Sequence, residues 1–188
     1  MPGTSLGGVP VLRPLSGAHD RAAFDCGRAS LNAWFVRHAL ANHRNNVSRV
    51  TVLPEAVEEA GENEASAGRI VGYFALSAAQ IERAHLLKAE RRNRPDPLPV
   101  FLLGQLAVDR RFQGQGHATL LLGYALQTAV RGADLIGSMG VITHPLDDEL
   151  RRFYARWGFE DLPYDPRRAM IVRMKDLRQN GFGAQEDL

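Results

Sequence analysis

Gly114 and Gly116 stand in the stretch Gln113-Gly114-Gln115-Gly116-His117-Ala118, between an apolar run and a segment whose Leu120, Leu121, Tyr124, Ala125 and Thr128 recur at helical spacing. A helix start has unpaired backbone N–H groups and a partial positive charge. A turn without side-chain bulk just ahead of it therefore takes an anionic phosphate onto backbone donors. A P-loop needs Lys and then Ser or Thr after its last glycine, where this chain has His117 and Ala118. A dinucleotide fingerprint needs a third small residue at 119 and an acidic residue about twenty further on; Thr119, and the lack of an acid near 139, exclude it. Cys26 is the only cysteine, which excludes an internal disulfide and a cysteine-rich metal site.

Around this turn the chain reads as alternating strands and helices. Ser30 is expected to cap a helix carrying Leu31, Trp34, Phe35 and Ala39, stopped by the polar residues 42–46. Strands are expected over 47–53 and 69–77, joined by an exposed acidic connection, 55–68. Residues 81–94 begin extended or helical and end in a basic loop, because Pro95, Pro97 and Pro99 cannot continue a helix; the next strand is expected after Pro99. The almost wholly apolar run 100–108 fits a strand buried on both faces. A helix over 119–130, a turn over 131–133, a strand over 135–143, a helix over 147–157 stopped by Gly158, and a strand over 169–174 complete the pattern. There is no internal repeat.

The pattern Gln113-x-x-Gly116-x-Ala118, behind the strand Leu106-Ala107-Val108-Asp109, resembles motif A of the GNAT acetyltransferases. Asp147-Asp148-Glu149-Leu150-x-x-Phe153-Tyr154-x-x-x-Gly158-Phe159 resembles their motif B helix. The resemblance implies a GNAT fold of the α/β (α+β) class: a central mixed, mostly antiparallel twisted sheet of about six to seven strands flanked by about four helices. It implies that Leu106, Ala107 and Val108 line the pantetheine arm of acetyl-CoA, and that Gln113, Gly114, Gln115, Gly116, His117 and Ala118 hold its pyrophosphate. It also makes Tyr154 the acid that protonates the departing thiolate, by direct transfer and without a metal. No general base declares itself. His144 is the nearest candidate and reads as a turn or packing residue. An α-amine, with pKa near 8, needs a base less than a lysine does.

A longer set of residues, Phe24-Asp25-Cys26-Gly27-x-x-Ser30-Leu31-Asn32-x-Trp34, Ser48-Arg49, the run from Pro95 to Asp109, and Phe153 to Phe159, is similar to the GNAT toxins of bacterial toxin–antitoxin pairs, the TacT and AtaT kind. That implies acetylation of the α-amine of aminoacyl-tRNA, blocked translation, a ribbon-helix-helix antitoxin and a homodimer. The alternative is a GNAT enzyme for a small-molecule amine or a protein N-terminus. Gln105 stands where these toxins commonly have Arg.

Composition agrees with an ordinary folded domain. The chain has 188 residues, 45% hydrophobic and 23% charged, enough for one core and without a run of about twenty apolar residues. The reading is a single domain over 11–178 with loose ends at 1–10 and 179–188, soluble and cytoplasmic, without a secretory signal. Net charge is only +2, but the charges are segregated. Glu55, Glu58, Glu59, Glu62 and Glu64 crowd one stretch; Arg37 to Arg49 and Lys88 to Arg94 are basic. Arg91, Arg92, Arg94 and Arg49 are the candidates for phosphates of an RNA.

Overall fold

The structure, a computed structural model, describes residues 11–55 and 69–183. Seven strands form one mixed sheet in the order β1-β2-β3-β4-β5-β7-β6. They are β1 (Arg13–Pro14), β2 (Arg49–Pro54), β3 (Ile70–Ile81), β4 (Leu98–Val108), β5 (Gly140–Thr143), β6 (Glu160–Asp161) and β7 (Met170–Arg173). Among the described residues five helices accompany them: α1 (Ala29–Arg37), α2 (Ala39–Arg44), α3 (His117–Leu135), α4 (Asp148–Ala155) and α5 (Met174–Gln179). β4 and β5 are parallel, whereas β1 with β2, β5 with β7 and β6 with β7 are antiparallel. The acidic residues 56–68, most of the expected connection, lie outside the described residues, as do 1–10 and 184–188 of the expected loose ends. Among the described residues no helix is long and apolar enough to cross a membrane.

The chain divides into two compact units, one of residues up to Ala75 with Gln105–Leu122, the other of Leu76–Gly104 with Gly123 onward. In the first, α1 and α2 present Phe35 and Ala39 to Phe24, Val50, Val52 and Tyr73. Phe35 stacks on Tyr73 with centroids 4.0 Å apart, and the Tyr73 hydroxyl donates to the carbonyl of Leu31 at 3.0 Å. Burial pushes the Tyr73 phenol far up, so it remains a neutral donor. Ser30 does not cap α1: Arg28 occupies that position, and Asn32 instead accepts from Cys26 N and donates to Asp25. The polar stretch expected to stop the helix is itself partly helical, as α2, and the chain turns at Asn46 with φ 59°.

In the second unit Ile81, Leu86, Leu98, Val100, Ile142, Leu162, Ala169 and Ile171 form a core. β4 starts at Leu98, one residue before the expected barrier. Pro99 is exposed within it and contributes only its carbonyl, which accepts from Met139 N at 2.9 Å, so the missing N–H costs nothing there. α3 runs through the expected turn at 131–133. Gly132 lies inside the helix, and a Cβ there would be 3.1 Å from the Phe101 ring, so packing calls for glycine despite its low helix propensity. β5 is correspondingly shorter than expected, and Leu135 and Ile136 are exposed.

One departure shapes the site. β4 is not buried throughout: Gly104 is exposed, and Phe101, Leu102, Gln105 and Leu106 are half-buried. Its pairing with β5 is at Phe101↔Val141 and Leu102↔Ile142, and β5 ends at Thr143. An apolar strand whose neighbour stops early keeps backbone groups and half-covered side chains to offer a ligand.

Candidate active site

In the first unit the glycine turn is tied down from below. Asp109, the residue after β4, is 1% exposed. Its carboxylate accepts from Asp25 N at 3.1 Å, from Arg111 N at 3.0 Å, and from Arg111 Nε and Nη2 at 2.8 Å each. The Arg111 side chain holds the carboxyl at about 2 against the opposing effect of burial, with the two backbone N–H groups assisting. Arg110 pairs with Asp25 at 3.1 Å. The Gln113 amide donates both its hydrogens inward, to Cys26 O at 3.1 Å and Val108 O at 2.9 Å. The side chain of Gln113 therefore clamps the turn, and its backbone begins the cradle. Cys26 is buried, and burial raises its thiol pKa, which suits a packing residue rather than a nucleophile.

Gly114 and Gly116 have φ of 75° and 85°, and a Cβ at either would meet no protein atom within 4 Å. Glycine is required there by the left-handed backbone rather than by crowding. Residues 113–116 are exposed, and His117 and Ala118 are half-buried at the start of α3, with the His117 ring edge-on to Phe112 at 6.4 Å. Leu120 N donates to Gly116 O at 3.1 Å, so the N–H groups of the residues between them have no helical carbonyl to meet. Leu106 is half-buried, while Ala107 and Val108 are buried.

In the second unit α4 carries Tyr154. Asp147 caps the helix, its side chain accepting from Leu150 N at 2.9 Å, and Asp148 and Glu149 add negative charge to the first turn. Gly158, at φ 84°, ends the segment. The Tyr154 ring is 5% exposed between Phe153 and Phe159, with centroids at 5.2 and 5.3 Å. Its hydroxyl is hydrogen-bonded to Thr143, and the Thr143 hydroxyl in turn donates to Leu103 O at 3.0 Å, just past the last β4–β5 pair. Burial pushes the Tyr154 phenol up to about 12, partly offset by the Thr143 bond. It is protonated across the physiological range.

The first unit thus carries a glycine turn at a helix start, and the second a buried, protonated tyrosine. The sequence model described as "Acetyltransferase (GNAT) domain" matches residues 57–161. This chain belongs to the GNAT acetyltransferases. It is an N-acetyltransferase. It is 39% identical over 173 residues to the "tRNA-acetylating toxin" of Mycobacterium tuberculosis (strain ATCC 25618 / H37Rv), covering 92% of this chain and 97% of that protein. A "Probable toxin TacT" of Sinorhizobium fredii (strain NBRC 101917 / NGR234) is 30% identical over 86% of this chain and 90% of that one. The solved structure "AtaT complexed with acetyl-methionyl-tRNAfMet" superposes with a TM-score of 0.80 at 26% identity, covering 90% of this chain and 98% of that one.

The other candidates of this GNAT acetyltransferase fall in separate places. Arg91, Arg92 and Arg94 share the loop before β4 in the second unit, and Arg49 begins β2 in the first. Arg92 and Arg49 are exposed and Arg94 is half-buried. Arg91 is committed to the fold: Nε donates to Leu86 O at 2.9 Å, Nη2 to Ala84 O at 2.7 Å, and its guanidinium lies 5.2 Å from the centroid of the Tyr164 ring. Gln105 is half-buried, and its Oε1 has no hydrogen-bond partner among the described residues. Sequence reasoning passed over Asp109 and Thr143. The "Asp after the strand" was visible, but its partners Asp25 and Arg111 are set by folding. Among the described residues no group of three or more His, Cys, Asp or Glu is placed to hold a metal.

Proposed function

We propose that this acetyltransferase moves the acetyl group of acetyl-CoA to the α-amine of aminoacyl-tRNA, and acts as the toxin of a type II toxin–antitoxin pair. The observation that carries this reading is the 39% identity, over nearly the full length of both chains, to a protein named for acetylating tRNA. The superposition on AtaT with acetyl-methionyl-tRNA supports it. In this reading acetyl-CoA supplies an acyl thioester whose thiolate is the leaving group.

Backbone N–H groups from Gly114 to Ala118 meet the pyrophosphate at the start of α3, helped by the helix dipole, with Gln113 clamping the turn. The backbone of Leu106, Ala107 and Val108 receives the pantetheine arm as a strand would. Tyr154 gives its proton to the thiolate as the tetrahedral adduct collapses. A phenol held at about 12 is a weak acid in water, but the dry surroundings that raise it also raise the basicity of a thiolate formed there. Arg92, Arg94 and Arg49 contact tRNA phosphates. The working protein is a cytoplasmic homodimer silenced by a ribbon-helix-helix antitoxin.

The test is transfer of labelled acetyl to bulk aminoacylated tRNA, with Tyr154→Phe as control. Label on the aminoacyl group that falls sharply in the control is the expected result. Absence of label from enzyme that still binds acetyl-CoA sinks the tRNA reading and points to small amines or protein N-termini.

A further inference from the structure

Acetyl transfer to an amine releases a proton from nitrogen as well as consuming one at sulfur, and nothing described so far receives it. In the second unit, the residue after Thr143 is His144. Side chains alternate along a strand, so the face of β5 opposite the one that carries the Tyr154–Thr143 bond continues into His144. Both residues stand where β4 and β5 cease to pair. The His144 Nε2 is buried without a hydrogen-bond partner among the described residues, and faces the Asp165 carboxylate across 3.9 Å. The side chain as a whole is 28% exposed.

Asp165 is itself fixed. Its side chain is 4% exposed and accepts backbone N–H from Ala169 at 2.9 Å and Arg167 at 3.2 Å. Its other oxygen faces His85 Nδ1 at 4.0 Å, while His85 Nε2 faces Glu82 at 3.8 Å. Both nitrogens of His85 therefore look at carboxylates, whereas His144 has one nitrogen toward Asp165 and the other, Nδ1, with no hydrogen bond among the described residues. A buried carboxylate facing one nitrogen of a part-exposed imidazole favours a proton on that nitrogen and leaves the second nitrogen basic. At 3.9 Å the two groups face each other without a hydrogen bond.

We propose that His144 is the general base of this acetyltransferase, its Nδ1 taking the proton from the acceptor amine, with Asp165 as the residue that positions it. The inference rests on Tyr154 acting as the acid and is independent of which amine is the acceptor. The balance closes: the amine nitrogen bonds to the acetyl carbon, the carbon–sulfur bond breaks, the phenol proton of Tyr154 goes to sulfur and the ammonium proton to His144. The groups around the imidazole agree. Burial and the charge of Arg167 lower its pKa below 6.5, opposed by Asp165, so it is neutral and able to accept a proton at pH 7. Burial pushes the Asp165 carboxyl up, but the Ala169 and Arg167 N–H groups lead the effects that outweigh it and hold the carboxyl below its ordinary value.

The experiment is the pH dependence of single-turnover acetyl transfer at saturating acetyl-CoA, for wild type and His144→Gln, on aminoacyl-tRNA and in parallel on a free α-amino acid ester. In the wild type both amine and imidazole must be neutral, so the logarithm of the rate climbs with a slope near two at the acid end and near one above the imidazole pKa. His144→Gln is expected to be slower by about 10²–10³-fold, with a slope of one throughout, and with acetyl-CoA affinity and melting temperature unchanged. A variant within about threefold of wild type at every pH overturns the proposal, since general-base catalysis is worth more than that. Label on the ester and none on the tRNA overturns the tRNA reading alone, and the ester profile still decides His144. Histidine titration by NMR on the intact protein adds a readout free of turnover. His144 is expected to titrate below 6.5, and lower still in Asp165→Asn; a titration indifferent to Asp165 overturns the pairing.

Discussion

In the proposed mechanism its environment turns Tyr154, an ordinary side chain, into a reagent. In water a phenol and a thiol differ by about 1.5 in pKa, the wrong way for rapid donation to sulfur. Enclosed by Phe153 and Phe159, Tyr154 is held protonated, and Thr143 fixes the direction of its hydroxyl. Tyr154→Phe keeps the ring and its packing while removing the proton, so kcat is expected to fall about 10²–10⁴-fold with acetyl-CoA affinity unchanged, as single-turnover rates and calorimetry will show. A second expectation concerns the alkaline side. An acid with its pKa at about 12 is active below that value, so the wild-type rate does not decline through loss of the phenol proton between pH 8 and 10. A decline there that vanishes in Tyr154→Phe contradicts a phenol held at about 12 and leaves Tyr154 as the acid, with a lower pKa. The motif pointed to Tyr154 from sequence alone. Thr143 was invisible, because what matters about it is its register opposite Leu103.

Elements made of ordinary residues were legible and elements bent by their neighbours were not. Asp147, the acidic first turn and Gly158 bracket α4 in the sequence as in the structure. Pro99 and Gly132 misled, since each breaks a local rule for a tertiary reason: a carbonyl needed by Met139, and an aromatic ring needing room. The opening of β4 was hidden because an apolar run looks the same whether its neighbour stays beside it or ends at Thr143. At the glycine turn proposed to hold acetyl-CoA, Gly116→Ala must hold a left-handed φ at a cost of about 1–2 kcal/mol. Acetyl-CoA affinity is expected to fall roughly tenfold by calorimetry, because the cradle is distorted. Asp109→Asn attacks the same turn from beneath. It leaves Arg111 without its charged partner, and the melting temperature should drop by an amount equivalent to about 1.5–3 kcal/mol. The linkage has a definite sign. Asp109 is depressed from 3.8 to about 2, so its stabilisation is present above about pH 4 and is lost as pH falls toward 2. Acid unfolding of the Asn variant should show a weaker dependence in that window.

At the scale of the whole chain a net charge of +2 does not by itself draw a protein to RNA, and the reading depends on where a few arginines stand. The sequence named four, and the structure separates them by what their guanidinium groups are already doing. Arg91 is spent on Ala84, Leu86 and Tyr164, so Arg91→Ala should lower the melting temperature by loosening the loop before β4, and any loss of tRNA binding should follow that loosening. Arg92, Arg94 and Arg49 have side chains at least partly open to solvent, at positions where replacement by Ala should leave the fold intact. Each phosphate contact removed makes the slope of log binding constant against log salt concentration shallower by about 0.7–0.9. Combined Arg92→Ala and Arg94→Ala is therefore expected to flatten the slope for aminoacyl-tRNA by about 1.4–1.8, and Arg49→Ala by about half that, all with unchanged acetyl-CoA affinity. Filter binding across a salt series measures this directly. A slope that stays the same in all three substitutions, with tRNA still bound, would move the RNA surface elsewhere on the molecule; a wild-type slope near zero would mean that phosphates are not recognised, and would favour an acceptor amine that carries no nucleic acid.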